Sequence, residues 1–449
     1  MRMPTRAFHD GDAAIPPAAP GTPERVIVVG AGIAGLTAAN ALRTAGIDCV
    51  VVEARDRIGG RLHTVDVGAG IADLGGSWIH HPGGNVISDW VDFAAVPWVP
   101  DTTASAFAGY DMADRRPLTA DELELASYAA LDPVAALVEM DAAAARPDRS
   151  VAAVLDEYLA GRPDAPRLRQ IMAGLIEQDG AAPLDDISAR WAFSTSALVG
   201  DVVDNVPTGG YRSVLAPLAA GAPAIRLRSP VRRIAQSADG VEVTGDGWAE
   251  HGSHVIVTVP LGVLRAKAVE FSPPLPLAHR RAIESTGFSS MEKVVLAFDE
   301  PFWRGRGIRH AVVLPADRRE ASAWAWDFGL GPTMMFLVAQ SATASAWRDP
   351  RGWALAQLEA LCGMPVPDPV EVVATDWLHD EFARGSYAHI RPDRTDADID
   401  ILAMPAGRVL FAGEHTSRAR LGYADGAMSS ALREATRLLR MPQVELTAP

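Results

Sequence analysis

The feature that most constrains this chain is a strand, a glycine-rich turn, a helix and a second strand, which follow one another between residues 24 and 53. The run from Arg25 to Val29 is short and apolar, as in buried parallel strands, and residues 30–35 read GAGIAG directly after it. A helical pattern with apolar residues on one face follows, and Gly46 stands where such a helix usually ends. A second apolar run then ends in Glu53.

Each part of this unit has a physical role in holding a dinucleotide. Gly30 permits a tight turn, Gly32 lets the backbone approach a pyrophosphate, and Gly35 allows close packing of helix against strand. The N-terminus of the helix favours the phosphate charge. Glu53 lies 23 residues after Gly30, a spacing that suits hydrogen bonds to an adenosine ribose. An acid at this position, rather than an arginine, disfavours a nucleotide with a ribose 2′-phosphate.

A second pair of glycines follows the ribose acid, in the run ARDRIGGR. Arg55 and Arg61 flank this pair and could donate charge-assisted hydrogen bonds to the same pyrophosphate. The run could equally be a solvated basic turn, and the residues alone leave both interpretations open.

The length of 449 residues is too great for one hydrophobic core and suggests two or three domains. Glycine-punctuated segments rich in β-branched residues predict one discontinuous domain from residues 25–100, 205–265 and 385–440. The remaining segments, 101–204 with helical spacing and 266–384 with several strand-like runs, predict a second domain. Those strand-like runs are Lys293–Phe298, Ala311–Leu314 and Met334–Val338. We expect residues 1–24 to be a disordered leader and residues 441–449 to be a tail.

Charge and composition exclude several classes of function. The net charge of −15 disfavours non-specific binding of nucleic acid and is compatible with a cationic substrate. No apolar run reaches the roughly 18 residues that a membrane span requires, so no membrane segment is expected. Cys49 and Cys362 are too far apart to suggest metal-ligand spacing, and they fit a reducing cytoplasm. The pair His80-His81 has no third ligand at a suitable spacing, so no metal is expected.

Several long runs resemble the flavin-containing amine oxidases, and most closely the polyamine oxidases. The resemblance extends from about Arg25 to Leu439 and is carried by VVGAGIAGLTAANAL, VVVEARDRIGGR, DLGGSWIH, RVLFAGEHTS and GYADGAMSSALREA. It implies an FAD cofactor. It also implies an α/β fold in which a Rossmann-like FAD-binding domain, of the glutathione-reductase-like type, is interleaved with an α+β substrate-binding domain.

The resemblance further implies roles for individual residues. Glu414 would bond the ribityl chain, Val231 would meet the adenine through its backbone, and Ala424 would place a helix N-terminus at the flavin N1/O2 edge. Lys293 would reach flavin N5 through a water molecule, although a lysine at the head of an apolar strand could also be an edge residue that prevents strand pairing. The expected cofactor-binding residues are Gly30, Gly32, Ile33, Ala34, Gly35, Glu53, Ala54, Arg55, Gly60, Arg61, Gly75, Gly76, Ser77, Trp78, Val231, Gly413, Glu414, Tyr423 and Ala424.

The same resemblance implies a substrate pocket beside the flavin. Tyr387 and Tyr423 would form an aromatic sandwich that attracts an amine and steers it toward N5. His80, in the run SWIH, would touch the substrate, or would be a structural histidine; both interpretations remain open. Amino-acid oxidases that resemble this chain carry an arginine near this position to bind a carboxylate, and this chain does not.

Two further features bear on the cofactor and the substrate. Ser386 occupies the position where monoamine oxidases carry a cysteine bonded to the flavin, so FAD is expected to be non-covalent. Glu177 and Asp179 are candidates for the acid that binds a distal nitrogen of a polyamine.

These residues predict a flavin-dependent amine oxidase with catalytic residues Lys293, Tyr387, Tyr423 and His80. A hydride would pass from the carbon beside a neutral amine nitrogen to the flavin, water would hydrolyse the imine, and dioxygen would be reduced to hydrogen peroxide. A polyamine is the favoured substrate. A monoamine, an amino-acid derivative or an apolar ring system on the same scaffold, and a non-catalytic FAD-binding interaction protein, are alternatives. We expect a cytoplasmic monomer or homodimer that binds neither nucleic acid nor membranes.

Overall fold

A five-stranded parallel sheet forms the centre of one half of the protein. The computed structural model describes residues 2–4, 23–102, 107–194, 203–317, 319–339, 346–439 and 445–448. In spatial order the strands of the sheet are Ile225–Arg226, Asp48–Val52, Arg25–Val29, His254–Val257 and Val409–Phe411. Val26 and Val28 pack on the face covered by helices Ile33–Thr44 and Ala424–Leu439. Ile27 and Val29 pack on the opposite face. Burial on both faces explains why these strands are continuous apolar runs.

The glycine-rich turn joins the central strand to helix Ile33–Thr44 as the sequence predicts. Gly30 has φ +104°, and a Cβ atom there would lie 2.5 Å from the hydroxyl of Thr258, which itself donates to the carbonyl of Val29. A Cβ atom at Gly35 would lie 1.9 Å from the carbonyl oxygen of Gly30. The helix can therefore approach the strand only because both positions lack a side chain.

A four-stranded sheet covers the opposite face of the parallel sheet. Its strands, in spatial order, are Trp248–Gly252, Val241–Gly245, Val231–Gln236 and Glu270–Ser272. The last of these pairs with Val231–Gln236, although the expected boundary at residue 265 assigns it to the other domain. Ala282 and Ile283 of helix Leu277–Ser285 also pack in this core, so the apolar contacts of the first domain continue past that boundary.

The second half is organised around a seven-stranded, mostly antiparallel sheet. Its strands, in spatial order, are Glu371–Ala374, Met291–Ala297, Thr333–Ala339, Ala323–Trp326, His310–Leu314, Phe107–Asp111 and Arg116–Pro117. The three predicted strand-like runs lie in strands of this sheet. Met291–Ala297 is buried at every residue and has hydrogen-bonded neighbours on both sides. Lys293 therefore lies in an interior strand, which excludes the interpretation of an edge lysine that prevents pairing.

Helices from residues 120–194 pack against one face of this sheet, in the segment where the sequence predicts helical spacing. They are Ala120–Glu124, Asp132–Ala143, Val151–Leu159, Ala165–Gly180 and Ala189–Ser194, with a 3₁₀ turn at Tyr128–Leu131. The other helices are Val86–Phe93, Tyr211–Gly221, Leu261–Arg265, Pro350–Cys362 and Ala397–Leu402, with 3₁₀ turns at Leu184–Asp186, Phe302–Arg306 and Glu414–Thr416.

Four two-stranded pairings complete the structure. They join Thr64–Val67 with Gly70–Asp73, Trp98–Pro100 with Asn205–Pro207, Gly287–Ser289 with Tyr387–His389, and Arg2–Pro4 with Glu445–Thr447. The last pairing brings part of the expected leader and part of the expected tail into regular structure, and Thr447 exchanges hydrogen bonds with Asn40 of the turn-following helix. Residues 1, 5–22, 441–444 and 449 of those segments lie outside the described residues. Within the described ranges, no helix combines the length and apolar character that crossing a membrane requires.

Candidate active site

One cavity of about 1120 Å³ is lined by residues of both halves of the protein. We call its two parts the dinucleotide half and the substrate half. The dinucleotide half is lined by residues that include Gly32, Glu53, Arg55, Gly60, Arg61, Val231, Thr258, Gly413 and Glu414. The substrate half is lined by residues that include Trp78, His80, Asp101, Phe107, Asp132, Asp179, Asp204, Lys293, His310, Trp324, Trp326, Tyr387 and Tyr423.

In the dinucleotide half, Glu53 ties the glycine-rich turn to the end of its strand. One carboxylate oxygen accepts from the N–H of Ala31 at 2.7 Å, and the other accepts from the N–H of Arg55 at 2.8 Å. Each oxygen retains a lone pair for a ribose hydroxyl. Gly32 faces open space, because an added Cβ would meet only the carbonyl oxygen of Gly59, at 3.9 Å. This open glycine and fixed acid fit the dinucleotide that the sequence predicts.

The arginines of the run ARDRIGGR all have protein partners. Arg55 forms a two-bonded ion pair with Asp380, with N–O distances of 2.9 and 2.5 Å. Arg61 donates to the carbonyl of Ser386 at 2.6 Å and to Glu414 at 2.9 Å. The run is thus built into the protein rather than being a solvated turn, while each guanidinium keeps further donors beyond those bonds.

Glu414 connects three segments at the boundary between the two halves of the cavity. It is buried, accepts from Arg61, and accepts through its other oxygen from the N–H groups of Ala388 and Gly422. The helix Ala424–Leu439 begins beside it, and Ala424 lines the cavity. Because the first N–H groups of a helix have no partner within the helix, this end carries a partial positive charge.

Most of the expected cofactor-binding residues line this one cavity. Two do not: Gly30 and Gly35 lie behind the lining, where they shape the turn and its packing. The set that the structure brings together is Gly32, Ile33, Ala34, Glu53, Ala54, Arg55, Gly60, Arg61, Gly75, Gly76, Ser77, Trp78, Val231, Gly413, Glu414, Tyr423 and Ala424.

Lys293 points across from the seven-stranded sheet to the segment that follows Asp73. Its Nζ donates to the carbonyl oxygens of Asp73 and Gly75 at 2.9 and 2.5 Å, and to the hydroxyl of Ser77 at 2.7 Å. Burial lowers the pKa of Lys293 to about 8, and Asp73 opposes this shift. The side chain is therefore poised between an ammonium that fills all three bonds and a neutral amine that can fill only two.

Tyr387 and Tyr423 both line the substrate half. The hydroxyl of Tyr387 donates to the carbonyl of Gln178, which fixes the ring against the end of helix Ala165–Gly180. The guanidinium of Arg420 lies 4.2 Å from the centroid of the Tyr423 ring. Burial, and secondarily the charge of Asp179, raise the pKa of both tyrosines, so both remain neutral phenols at physiological pH.

Asp179 is the member of the predicted acidic pair that lines the cavity. Its charge acts on both tyrosines, and it lies in the last turn of helix Ala165–Gly180, where the helix carries partial negative charge. Glu177 is buried outside the cavity lining. The structure thus offers Asp179, and not Glu177, as a carboxylate beside the tyrosine pair.

His80 lies edge-on to Tyr423, with ring centroids 5.2 Å apart, and its Nδ1 is 2.6 Å from a carboxylate oxygen of Asp204. The other oxygen of Asp204 accepts from the N–H of His81 at 3.0 Å. Burial raises the pKa of Asp204, but the hydrogen bond and charge of His80 outweigh it and leave that pKa below its usual value. Asp204 is therefore ionised at neutral pH.

Several residues of the substrate half were not predicted from the sequence. Asp101 accepts from the indole N–H of Trp78 at 2.8 Å. His310 stacks on Trp326 with centroids 4.4 Å apart, and burial lowers its pKa to about 4, so the imidazole is neutral. The other members are Phe107, Asp132, Asp204 and Trp324. They come from separate segments, so no local spacing in the sequence announces them.

Neither cysteine, both of which are described, lines the cavity. Cys49 is buried within strand Asp48–Val52 of the parallel sheet, and Cys362 is buried in the core of the second half. Ser386 does line it, and its hydroxyl exchanges hydrogen bonds with the backbone of Met291. Within the described ranges, no three His, Cys, Asp or Glu side chains lie together in a way that could hold a metal ion.

Comparisons with known proteins agree with this architecture. Residues 33–439 match the family model of flavin containing amine oxidoreductases. The lysine-specific histone demethylase 1 homolog 1 of Oryza sativa subsp. japonica is 34% identical over 95% of this chain, but this chain spans only 53% of that relative. Polyamine oxidase 1 of Zea mays is 27% identical over 94% of this chain and 91% of the relative. A solved structure of putrescine oxidase, bound to putrescine, matches with a TM-score of 0.75 at 22% identity, covering 93% of this chain and 99% of that one.

Taken together, the fold and the cavity define an FAD-dependent oxidoreductase. Because the family match extends over most of its length, the chain belongs to the flavin containing amine oxidoreductase family. The resemblance, the fold class, the FAD cofactor and the oxidoreductase activity predicted from the sequence are therefore confirmed.

Proposed function

We propose that this enzyme oxidises a small amine that carries a second cationic group, of the polyamine type, with dioxygen as the electron acceptor and hydrogen peroxide as a product. The observation that carries this proposal is the set of carboxylates lining the substrate half: Asp101, Asp132, Asp179 and Asp204. Aromatic rings of Trp78, Phe107, Trp324 and Trp326 line the same space. Carboxylates interleaved with aromatic faces attract an elongated cation along its whole length.

The reacting amine would lie between Tyr387 and Tyr423. Asp179, beside both rings, attracts the amine in its charged form, whereas oxidation requires the neutral form, because a protonated nitrogen has no lone pair to stabilise the developing iminium. The tyrosines cannot take that proton, because both are neutral phenols with raised pKa values. They position the amine and exclude water from it.

FAD supplies the hydride acceptor, and the chain contributes placement and charge around it. Gly32 and the start of helix Ile33–Thr44 would approach the pyrophosphate, and Glu53 would bond the ribose. The N-terminus of helix Ala424–Leu439 would favour negative charge on the cofactor. Lys293 would bring a positive charge near the place where dioxygen is reduced.

A second candidate substrate is an N-methylated lysine side chain within a peptide. The observation favouring it is the 34% identity to a rice protein named as a lysine-specific histone demethylase, against 27% to the maize polyamine oxidase. The chain matches about half the length of that demethylase. The similarity therefore does not extend to whatever the other half of the relative contributes to its activity. Both candidates are amines that are positively charged in water, which suits the same carboxylates.

The deciding experiment follows bleaching of the flavin absorbance under anaerobic conditions. The purified protein is mixed with spermine, spermidine, putrescine, a monoamine, an L-amino acid and a dimethyl-lysine peptide in turn. Rapid bleaching by the polyamines alone would support the proposal. Bleaching by the peptide would move the assignment to the second candidate. Bleaching by a monoamine or an amino acid would show that the substrate needs no second cationic group. Bleaching by none of these compounds would favour another substrate class or a binding role.

The setting of the activity is also part of the proposal. The acidic chain, with a net charge of −15, is proposed to work in the cytoplasm as a monomer or homodimer without binding nucleic acid. Light scattering of the FAD-loaded protein, with and without a DNA duplex at low salt, measures the oligomeric state and tests nucleic-acid binding.

A further inference from the structure

The backbone places Asp204 beside His80, although 124 residues separate them. Ile79 and Asn205 exchange two hydrogen bonds, at 2.7 and 3.1 Å, so the residues adjoining them, His80 and Asp204, lie side by side. The carbonyl of Asp204 also accepts from the N–H of Asp101 at 2.7 Å. The backbone of Asp204 is thus held by pairing on both sides, and its carboxylate is held by the contacts with His80 and His81.

The backbone at His81 adapts to the same carboxylate. His81 has φ +48°, a left-handed conformation that residues other than glycine seldom adopt, and in it the N–H donates to Asp204. Strain of this kind persists only where surrounding structure maintains it, and it concentrates at functional sites. The two hydrogen bonds together use both oxygens of Asp204.

This arrangement fixes the tautomer of the imidazole. An ionised carboxylate can only accept, so Nδ1 of His80 donates to Asp204 and carries its proton. In the neutral imidazole the lone pair is then on Nε2. His80 shares the substrate half with Tyr387 and Tyr423, and its ring meets Tyr423 edge-on.

Two other groups of this half, Lys293 and Tyr387, are less suited to take a proton from the substrate. Lys293 is already engaged as a donor to three acceptors, and the hydroxyl of Tyr387 donates to Gln178. We propose, on the basis of the proposed function, that His80 accepts the proton of the bound ammonium at Nε2 and that Asp204 is the positioning residue that orients His80 and stabilises the resulting imidazolium. The N–H bond of the ammonium breaks, its electron pair stays on the nitrogen, and the proton moves to Nε2.

Several titratable and charged groups surround the pair of His80 and Asp204. Asp204 is paired with His80, and the neighbouring His81 has its pKa lowered first by burial and then by the charge of Arg420. Arg420 is largely balanced by Asp425, with an N–O distance of 2.6 Å. Tyr423, the ring in contact, is neutral. Removing the carboxylate of Asp204 should therefore make His80 a weaker base.

The test compares Asp204→Asn with the wild-type protein, using the limiting rate of anaerobic flavin reduction by the best amine of the panel between pH 5.5 and 10. In the wild type the rate should fall at acid pH, because a protonated His80 has no lone pair with which to accept the proton. In D204N that acid limb should move down by about 1 pH unit or more, and the plateau should fall by about 100-fold. Asp92→Asn, which removes a surface carboxylate near Trp98, is the matched control and should leave the limb in place.

A second measurement does not depend on turnover. The chain has 11 histidines, and ¹³C NMR of ring-labelled histidine, with His80→Gln to assign the signal, gives the titration midpoint of His80. That midpoint should fall in D204N and be largely restored in Asp204→Glu. An unchanged midpoint, or an acid limb that does not move, would overturn the pairing even if D204N were slow, because a merely structural carboxylate would slow the reaction without shifting either quantity.

Should D204N fail to fold, His80→Ala with added imidazole tests the base directly. Recovery of the reduction rate, with a pH dependence set by the added imidazole, would support the assignment, and absence of recovery would contradict it. Failure of the wild type to react with any amine would instead remove the proposed function. The NMR midpoints would still report on the pair in that case.

Discussion

The dinucleotide half of the cavity is built mainly from short continuous runs, whereas the substrate half gathers single side chains from many separate segments. In the first, glycines and backbone N–H groups form the surface. Glu53 fixes them by accepting from the N–H of Ala31, in the glycine-rich turn, and from that of Arg55, two residues further along the chain. In the second, Asp179 comes from a helix, Asp204 directly precedes a short strand, and Lys293 lies in an interior strand of the seven-stranded sheet. A dinucleotide site can therefore be encoded locally, while a substrate site depends on how the whole chain folds.

The two halves of the cavity also differ in how they tolerate substitutions. The dinucleotide half depends on the absence of side chains at particular positions, so an added methyl group is enough to destroy it. The substrate half depends on charges at distances of several ångströms, where a substitution weakens binding or one step without preventing folding.

The largest expected effect is loss of FAD in Gly35→Val. A Cβ atom there would lie 1.9 Å from the carbonyl oxygen of Gly30, so helix and strand must separate and the turn must move. The cost should be at least about 3 kcal/mol, which corresponds to more than about 100-fold in FAD affinity. The ratio of flavin to protein absorbance after gel filtration, together with the melting temperature, measures this.

The control for that prediction is Gly305→Ala, where an added Cβ meets no atom within 4 Å. It should retain FAD and melt like the wild type. A G35V protein that kept its full flavin content and melting temperature would show that close packing at the turn is dispensable, and the contrast between the two halves would be lost.

Next in size is the effect of Lys293→Met on reoxidation. Removing a positive charge near the site of dioxygen reduction should slow flavin reoxidation by about 100-fold, while anaerobic reduction by the amine changes much less. Stopped-flow mixing of the reduced protein with oxygenated buffer separates the two steps. Lys267, the other lysine of the chain, is exposed and provides the matched control Lys267→Met. Unchanged reoxidation in K293M would withdraw the role assigned to this residue.

The two halves differ in the same way in how far the sequence predicts them. The turn at residues 30–35, its helix and the acid at Glu53 follow from spacing, because the backbone conformation there is encoded by glycines that are neighbours in the chain. The family resemblance adds Glu414 and Ala424, which lie in a long continuous motif, and the structure places both in the cavity lining. Motifs that are continuous in the sequence were therefore sufficient to predict most residues of the dinucleotide half.

The substrate half contains residues that local sequence motifs do not predict. Tyr387, Tyr423 and Lys293 were predicted because they lie in recognisable motifs, whereas Asp204 and His310 were not. The position of Asp204 depends on backbone pairing between Ile79 and Asn205, a long-range contact that no local pattern encodes. The strand Glu270–Ser272 shows the same limit, because its partner Val231–Gln236 is chosen by tertiary packing and not by its own three residues.

The pH dependence of reoxidation sharpens the assignment of Lys293. Burial lowers its pKa from the ordinary value of 10.5 to about 8, so the ammonium is present below about pH 8 and is lost as pH rises through that value. If the charge assists dioxygen reduction, the reoxidation rate should fall by about tenfold between pH 7 and pH 9. The profile of K293M should be flat over this range. A wild-type profile that stays level to pH 10 would mean that the lysine keeps an ordinary pKa or takes no part in the step.

The smallest effect expected is on substrate binding, in Asp179→Asn. Asp179 lies beside both tyrosines, but it shares the cavity with other carboxylates, so losing one charge should cost about 1 kcal/mol, or about fivefold in the dissociation constant of a polyamine. The limiting rate of reduction should change less than binding, because the tyrosines still position the amine. Asp185→Asn, an exposed carboxylate just beyond the same helix, is the matched control.

Substrate charge gives this last prediction its discriminating power. A diamine and a monoamine of equal length differ by one cationic group. If Asp179 acts only at the reacting nitrogen, D179N should weaken the binding of the diamine and of the monoamine equally. If Asp179 also attracts the second cationic group, D179N should weaken the binding of the diamine more than that of the monoamine. Titration of both amines into the oxidised protein under anaerobic conditions distinguishes these results. Equal affinities of D179N and wild type for both amines would show that the carboxylate beside the tyrosine pair does not recognise substrate, and the substrate half would then owe its selectivity to Asp101, Asp132 and the aromatic wall.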